Sequence, residues 1–222
     1  MFSDFSQEQF LSHTELFSHI APEEIRSLLF CLGAIEKTYD KGETIYRAGQ
    51  TITDIGMVLS GSVNMVVNFV EGDSRIFGHF KAGEVFGENY AAIEGRELIG
   101  DIVAMEKTRV LFMDLRRVMQ TCSRHCSYHN QLNLNLIHIA ARKNLGLSSR
   151  MLHISYKSIR ERVISYLSEQ AMLQDVRAFL IPFDRQQMAD YLGVDRSALS
   201  NELSKMKRDG LIDYRKNRFK LL

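Results

Sequence analysis

Long apolar runs are missing from this sequence. No stretch of eighteen consecutive apolar residues occurs, so a membrane-spanning helix is not expected. The opening MFSDFSQEQF places no basic segment ahead of an apolar one, so a secretory signal is not expected either. Cysteine is scarce too: Cys31, Cys122 and Cys126 are too few and too irregularly spaced for a disulfide framework, which fits a reducing compartment and a cytoplasmic protein. Only Pro22 and Pro182 interrupt the chain as prolines, and there is neither an internal repeat nor a low-complexity tract. Catalytic signatures are absent as well. There is no phosphate-binding glycine loop and no nucleophile motif, and the glycine-rich region offers only His79, where a double-stranded β-helix metalloenzyme needs two histidines and a carboxylate. An enzyme is not expected. Charge of one sign is not in large excess, at net +1, but its distribution is uneven. Residues 1–154 hold 15 Lys+Arg against 18 Asp+Glu, whereas residues 155–222 hold 13 against 9, so a basic part follows an acidic one.

What the 222 residues do contain, 45% hydrophobic and 25% charged, suits one large or two modest globular domains. Ten of the 14 glycines fall between Gly42 and Gly100. They punctuate runs such as ETIY, IGMVLSGSVNMVVNF and RIFGHF, with turn signals DKGE, EGD and KAGE between them, which predicts an all-β unit. Val63, Met65, Val67 and Phe69 alternate with Asn64 and Asn68, interrupted by Val66, as in a strand buried mostly on one face. Ahead of it, APEEIRSLL places Pro22 at a first helical position, acidic residues in the first turn, and Ile25, Leu28 and Leu29 on one side. A short helix packed on the β unit is the expectation.

From about Leu115 to Leu147 the pattern becomes helical. Tyr128, Leu132, Leu136 and Ile139 form one apolar stripe, and Leu134, Ile137, Ala141 and Leu145 form a second beside it. Two stripes need two apolar partners, so one is expected on the chain's own β domain and the other on a second copy, with Leu132, Leu136 and Ile139 assigned to the dimer helix. Burial between two domains of one chain is the competing arrangement. Gly146 and the serines of LGLSSRM read as a break, with a hinge near residues 146–157. In SIRERVISYLSEQ, Ser158 and Glu161 stand at capping-box spacing ahead of Val163, Ile164 and Leu167, opening a second domain.

Within that domain, FDRQQMADYLG has Asp184 and Gln187 at capping-box spacing, Met188 and Leu192 on one face, and Gly193 as a stop. A second helix starts at once, with Asp195 as its N-cap and Leu199, Leu203 and Met206 as its apolar stripe. Two short helices joined by a glycine turn form a helix-turn-helix. Advancing about 100° per residue from Arg196 places Arg196, Ser197, Ser200, Asn201, Ser204 and Arg208 in an arc of roughly 140°. Asp195, Glu202 and Asp209 fall outside it. A solvated face usually mixes both signs, whereas a face that approaches phosphates does not easily carry carboxylates. Small serines let the helix backbone sit close, and Arg and Asn hydrogen-bond guanine and adenine edges bidentately. LIDYRKNRFKLL then reads as a hairpin with Arg215, Lys216, Arg218 and Lys220, a basic wing for phosphates.

This order of parts resembles the Crp/Fnr family of bacterial transcription regulators over nearly the whole chain. The sensor matches are KGETIYRAGQ, IGMVLSGSV and AGEVFGE; the DNA-reading match is RQQMADYLGVDRSALSNELSKMKRDGLI, which opens on Arg185. The resemblance implies an α+β protein: an N-terminal jelly-roll-like β-roll of the cyclic-nucleotide-binding type over residues 1–115, a dimerisation helix and hinge over 116–150, and a winged helix-turn-helix over 151–222. It places Arg196, Ser197 and Asn201 at the recognition positions, where many relatives carry Glu and Arg in place of Ser197 and Asn201. The remaining expected DNA contacts are Arg185, Ser200, Arg208, Arg215, Lys216 and Arg218. The partners implied are double-stranded DNA with an inverted repeat, a second copy of the chain, and RNA polymerase.

For the effector, Phe86, Gly87, Glu88, Asn89 and Arg96 are the candidate residues. Gly87 and Glu88 match the family's GE turn, but alignment on AMEKT puts Gly100 and Asp101 where the phosphate-binding Arg and Ser belong. An Asp there repels a phosphate. Cyclic AMP is therefore not the expected effector, and the small molecule is left unidentified. No N-terminal cysteine group precedes Cys31, so no iron-sulfur cluster is expected. In CSRHCSYH, Cys122, Cys126 and His129 stand at i, i+4 and i+7 with His125 beside them, residue types that could converge on one ion or a haem iron. Helical cysteines are more commonly small buried hydrophobes, and no metal site is assigned. The expected function is a sequence-specific transcription regulator answering a small-molecule or redox effector; a sensor or interaction module with a vestigial DNA-binding domain is the alternative.

Overall fold

Neighbouring residues along the run IGMVLS turn to two different cores. The computed structural model describes residues 4–69, 72–119 and 127–222. The N-terminal elements are α1 (Asp4–Ser12), α2 (Pro22–Leu32), β1 (Ile35–Tyr39), β2 (Thr44–Tyr46), β3 (Asp54–Ser60), β4 (Ser62–Asn68), β5 (Ser74–Lys81), β6 (Val85–Phe86), α3 (Glu88–Ala91), β7 (Asp101–Ala104), β8 (Thr108–Asp114) and α4 (Leu115–Met119). After them come α5 (Ser127–Ser155), α6 (Ile159–Gln174), β9 (Ala178–Leu180), α7 (Arg185–Leu192), α8 (Arg196–Arg208), β10 (Ile212–Arg215) and β11 (Arg218–Leu221). The chain divides into two compact units, Met1–Ala141 and Arg142–Leu222. Among the described residues no helix is long and apolar enough to cross a membrane.

The first unit holds two four-stranded antiparallel sheets, in the orders β1-β8-β3-β6 and β2-β7-β4-β5. On β3, Ile55, Met57 and Leu59 join the helix residues Leu11, Ile25 and Leu28, while Val58 joins Val63, Met65, Phe86, Ile102 and Phe112 between the sheets. Burial on both faces explains an apolar run without polar alternation. The ring of Phe86 fills the place where any side chain at Gly56 would stand. On β4, Val63 and Met65 are buried as expected, but Asn64 is buried too, its side-chain oxygen 2.6 Å from His79 Nδ1. Phe69 lies beyond the strand and is exposed, so the alternation of the sequence is not an alternation of burial: the first half of β4 is buried on both faces and the end is open.

The long helix α5 corrects two expectations. Leu132, Leu136 and Ile139, assigned to the dimer helix, are buried in the unit's own core with Leu11, Leu16 and Phe17. The stripe left exposed is the other one, with Leu134, Ile137 and Leu145 all at least half exposed. Gly146 does not break the helix, which runs on to Ser155. A single helical glycine costs only about 1 kcal/mol relative to alanine, too little to stop a helix anchored on both sides.

In the second unit the local chemistry behaves as the spacing predicts. Ser158 and Glu161 form a full capping box on α6, and Asp184 and Gln187 form another on α7. Gly193 ends α7 at φ 63°, a left-handed conformation that glycine adopts without steric cost. Asp195 caps α8, and Val163, Leu167, Met188, Leu192, Leu199, Leu203, Met206 and Phe219 form one core. The wing is a three-stranded sheet in the order β10-β11-β9, one strand more than the hairpin expected from LIDYRKNRFKLL.

Candidate nucleic-acid interface

The outward face of α8 carries Arg196, Ser197, Asn201, Ser204 and Arg208, all exposed, with Ser200 half-buried among them. Its serine hydroxyls bond locally, to the helix backbone or its cap. Ser200 Oγ donates to the Arg196 carbonyl and Ser204 Oγ to the Ser200 carbonyl, each at 2.9 Å, and Ser197 Oγ donates to Asp195 Oδ1 at 2.5 Å. The face is therefore low, with Arg196, Asn201 and Arg208 as its long side chains.

Each nearby carboxylate is committed elsewhere. Asp195 accepts from Ser197 Oγ and from the backbone N–H groups of Ala198 and Ser197, which hold its carboxyl below the usual carboxylate range. Arg160 on α6 binds Glu202 at 2.7 Å and Asp209 at 2.8 Å, drawing both away from the open face. Asp213 is held below its usual value by Lys207, 2.6 Å away. Arg160 and Lys207 escaped sequence reasoning, because a lone basic residue does not reveal which acid it neutralises.

On the wing, Arg215, Lys216 and Arg218 are exposed around the β10–β11 turn. Lys216 sits at φ 55°, an uncommon conformation for a residue with a side chain. Arg185 departs from expectation. It is half-buried, with its guanidinium 5.2 Å from the Tyr214 ring and 5.7 Å from that of Phe219 and a hydrogen bond of 3.5 Å to the Lys216 carbonyl. Desolvation lowers its pKa. Arg185 thus fastens the wing to α7, and charge alone could not distinguish that role from contact with a phosphate.

Known proteins combine the same two parts. Residues 36–125 match the family model of the cyclic nucleotide-binding domain, and residues 161–222 match that of the Crp-like helix-turn-helix domain. The chain belongs to the Crp/Fnr family. It is 24% identical to the transcriptional activator protein FnrA of Stutzerimonas stutzeri, over 78% of this chain and 70% of that one. It is 26% identical to the nitrogen fixation regulation protein FixK of Rhizobium meliloti, over 80% of this chain and 78% of the relative. The fold resembles the crystal structure of the Thermus thermophilus catabolite activator protein, with a TM-score of 0.55, 22% identity and 94% of each chain covered. Crp/Fnr proteins are DNA-binding transcription regulators with a cyclic-nucleotide-binding-like sensor, and both parts are present here.

On the sensor side the candidate effector residues occupy different environments. Gly87, at φ 82°, starts the short α3. Glu88 is buried, whereas Asn89 and Arg96 are exposed. Phe86 is wholly buried between the sheets with its ring centroid 5.8 Å from that of Phe80, so it is a packing residue rather than a surface contact. Of the two residues that the resemblance aligns with a phosphate-binding pair, Gly100 is closely packed: a Cβ on it would lie 2.5 Å from the Val66 carbonyl oxygen. Asp101 accepts from the Ala48 N–H at 2.8 Å and from Asn68 Nδ2 at 3.2 Å.

Cys122, His125 and Cys126 lie outside the described residues. His129 is buried, its Nδ1 has no hydrogen-bond partner, and desolvation holds it below the ordinary imidazole value. Among the described residues no three His, Cys, Asp or Glu side chains are grouped to hold a metal.

Proposed function

We propose that this regulator binds an inverted-repeat operator as a homodimer, reading bases with Arg196, Ser197 and Asn201 and holding phosphates with Arg208, Arg215, Lys216 and Arg218. The observation that carries this reading is the open face of α8. Its cations are exposed, Glu202 and Asp209 are held away from it by Arg160, and the Asp195 carboxylate is occupied by Ser197 Oγ and by N–H groups of the first turn. A polyanion can therefore approach without meeting negative charge. The exposed stripe of Leu134, Ile137 and Leu145 supplies the dimer surface. Two-fold symmetry then requires inverted half-sites, expected about one helical turn, roughly 34 Å, apart.

The sensor answers a small molecule other than cyclic AMP. In support, Gly100 leaves no room for an arginine, and Asp101 presents a carboxylate where a phosphate would need a donor. The chain acts in the cytoplasm, where duplex DNA is accessible. Selection from random duplexes, followed by native mass spectrometry of the bound species, tests the reading. A palindromic consensus held by two chains is the expected result, and recovery of unrelated sequences by a single chain refutes it.

A further inference from the structure

The carbonyls at the turn between α7 and α8 are taken by arginines from α5 and α6. Arg150 on α5 donates from Nε to the Tyr191 carbonyl and from Nη2 to the Asp190 carbonyl, both at 3.0 Å. Its guanidinium also lies 5.7 Å from the Tyr191 ring centroid. Arg162 on α6 donates to the carbonyls of Leu192 at 3.0 Å and Gly193 at 3.3 Å, and to that of Tyr156 at 2.8 Å, in the break between α5 and α6. The last carbonyls of a helix lack intrahelical partners, and water would satisfy them equally well. A planar guanidinium instead fixes direction as well as distance.

One turn beyond Arg150 on α5 lies His153, which is 1% exposed. Its Nδ1 is 2.9 Å from Ser165 Oγ and its Nε2 2.9 Å from Glu169 Oε2, both on α6. Its ring meets Tyr166 edge-on at 5.7 Å and lies 6.0 Å from Tyr191 on α7. Glu169 also accepts a hydrogen bond from Ser149 on α5. The end of α5 is thus joined to both α6 and α7 by directional contacts, where apolar packing alone would permit sliding and rotation.

We infer that Arg150 and His153 are positioning residues that set the distance and angle of α8 relative to α5, and through it the half-site spacing that the dimer accepts. This rests on the dimeric reading given above. Neither residue lies on α8, so neither reads a base.

The test uses the full chain and the selected inverted repeat with spacers shortened or lengthened by one and two base pairs. Each base pair turns a half-site by about 35°. Wild-type protein is expected to prefer one spacing by about tenfold or more, and Arg150→Met to reduce that preference to about threefold or less. Base preference within a half-site and the unfolding midpoint stay unchanged. Arg150→Lys, which keeps a single point donor, falls between the two. His153→Phe keeps an aromatic ring while removing both ring nitrogens and provides a second route to the same loss. If both variants retain wild-type spacing discrimination, or lose base preference together with it, the inference is overturned. Wild-type protein that binds a lone half-site as tightly as any repeat overturns the dimeric reading, and the inference with it.

Discussion

Replacing Arg196 by alanine separates base reading from phosphate binding. The side chain is exposed in the first turn of α8, where the helix dipole disfavours a cation, so its loss should change folding stability by no more than about 0.5 kcal/mol. A good bidentate contact to a base edge contributes about 1–3 kcal/mol. A two-fold dimer makes the contact twice, so affinity for the selected repeat should fall by about 2–6 kcal/mol, roughly 30-fold at the low end. Affinity for random duplex should hardly change. Lys216→Asn is the contrasting variant, because asparagine tolerates the left-handed backbone at φ 55° while removing the charge. It should weaken all duplexes alike and reduce the slope of log K against log salt by about 0.9 per half-site, or about 1.8 for the dimer. Fluorescence anisotropy of specific and random duplexes between about 50 and 200 mM salt measures both effects. Equal losses on the two duplexes for Arg196→Ala would show that the base-reading face has been misplaced.

Other substitutions probe the remaining parts. Leu199→Ala, at a fully buried position, should destabilise the DNA-binding unit by about 2–5 kcal/mol in urea titrations followed by circular dichroism. Leu132→Ala should lower the unfolding midpoint without changing subunit count, whereas Ile137→Ser should shift self-association in sedimentation and leave the midpoint of the separated chain nearly unchanged; the reverse pattern would restore the first stripe to the interface. Gly100→Arg should destabilise the sensor by about 1–3 kcal/mol through overpacking and confer no binding of cyclic AMP in calorimetry. The depressed pKa of His129 means that the unfolded chain binds more protons than the folded one below the ordinary value of 6.5. Stability should therefore fall as pH drops below that value, and His129→Phe should flatten this part of the profile.

Features set by local chemistry were the most legible in the sequence. The capping boxes at Ser158 and Asp184, the stop at Gly193 and the cap at Asp195 each depend on a few neighbouring residues, and the structure contains all four. The two stripes of α5 were legible as stripes, but their owners were not: periodicity shows which side chains share a face, and only the rest of the fold shows what covers it. β9 was missed because Ala178–Leu180 is too short to display a period. Arg185, Arg150 and Arg162 show the same limit for charge, since a guanidinium that caps a carbonyl or packs on an aromatic ring reads in sequence like one awaiting a phosphate. Gly146 reads as a break because its low helical propensity is visible, whereas the contacts that hold α5 on either side are not.

The conformation of Lys216 sets two demands on one position. Residues most at ease in that tight bend, glycine and asparagine, have no positive charge, and residues that have one fit the bend poorly. Drift toward a more relaxed hairpin would therefore weaken the hold on every operator at once, without altering which operators are preferred.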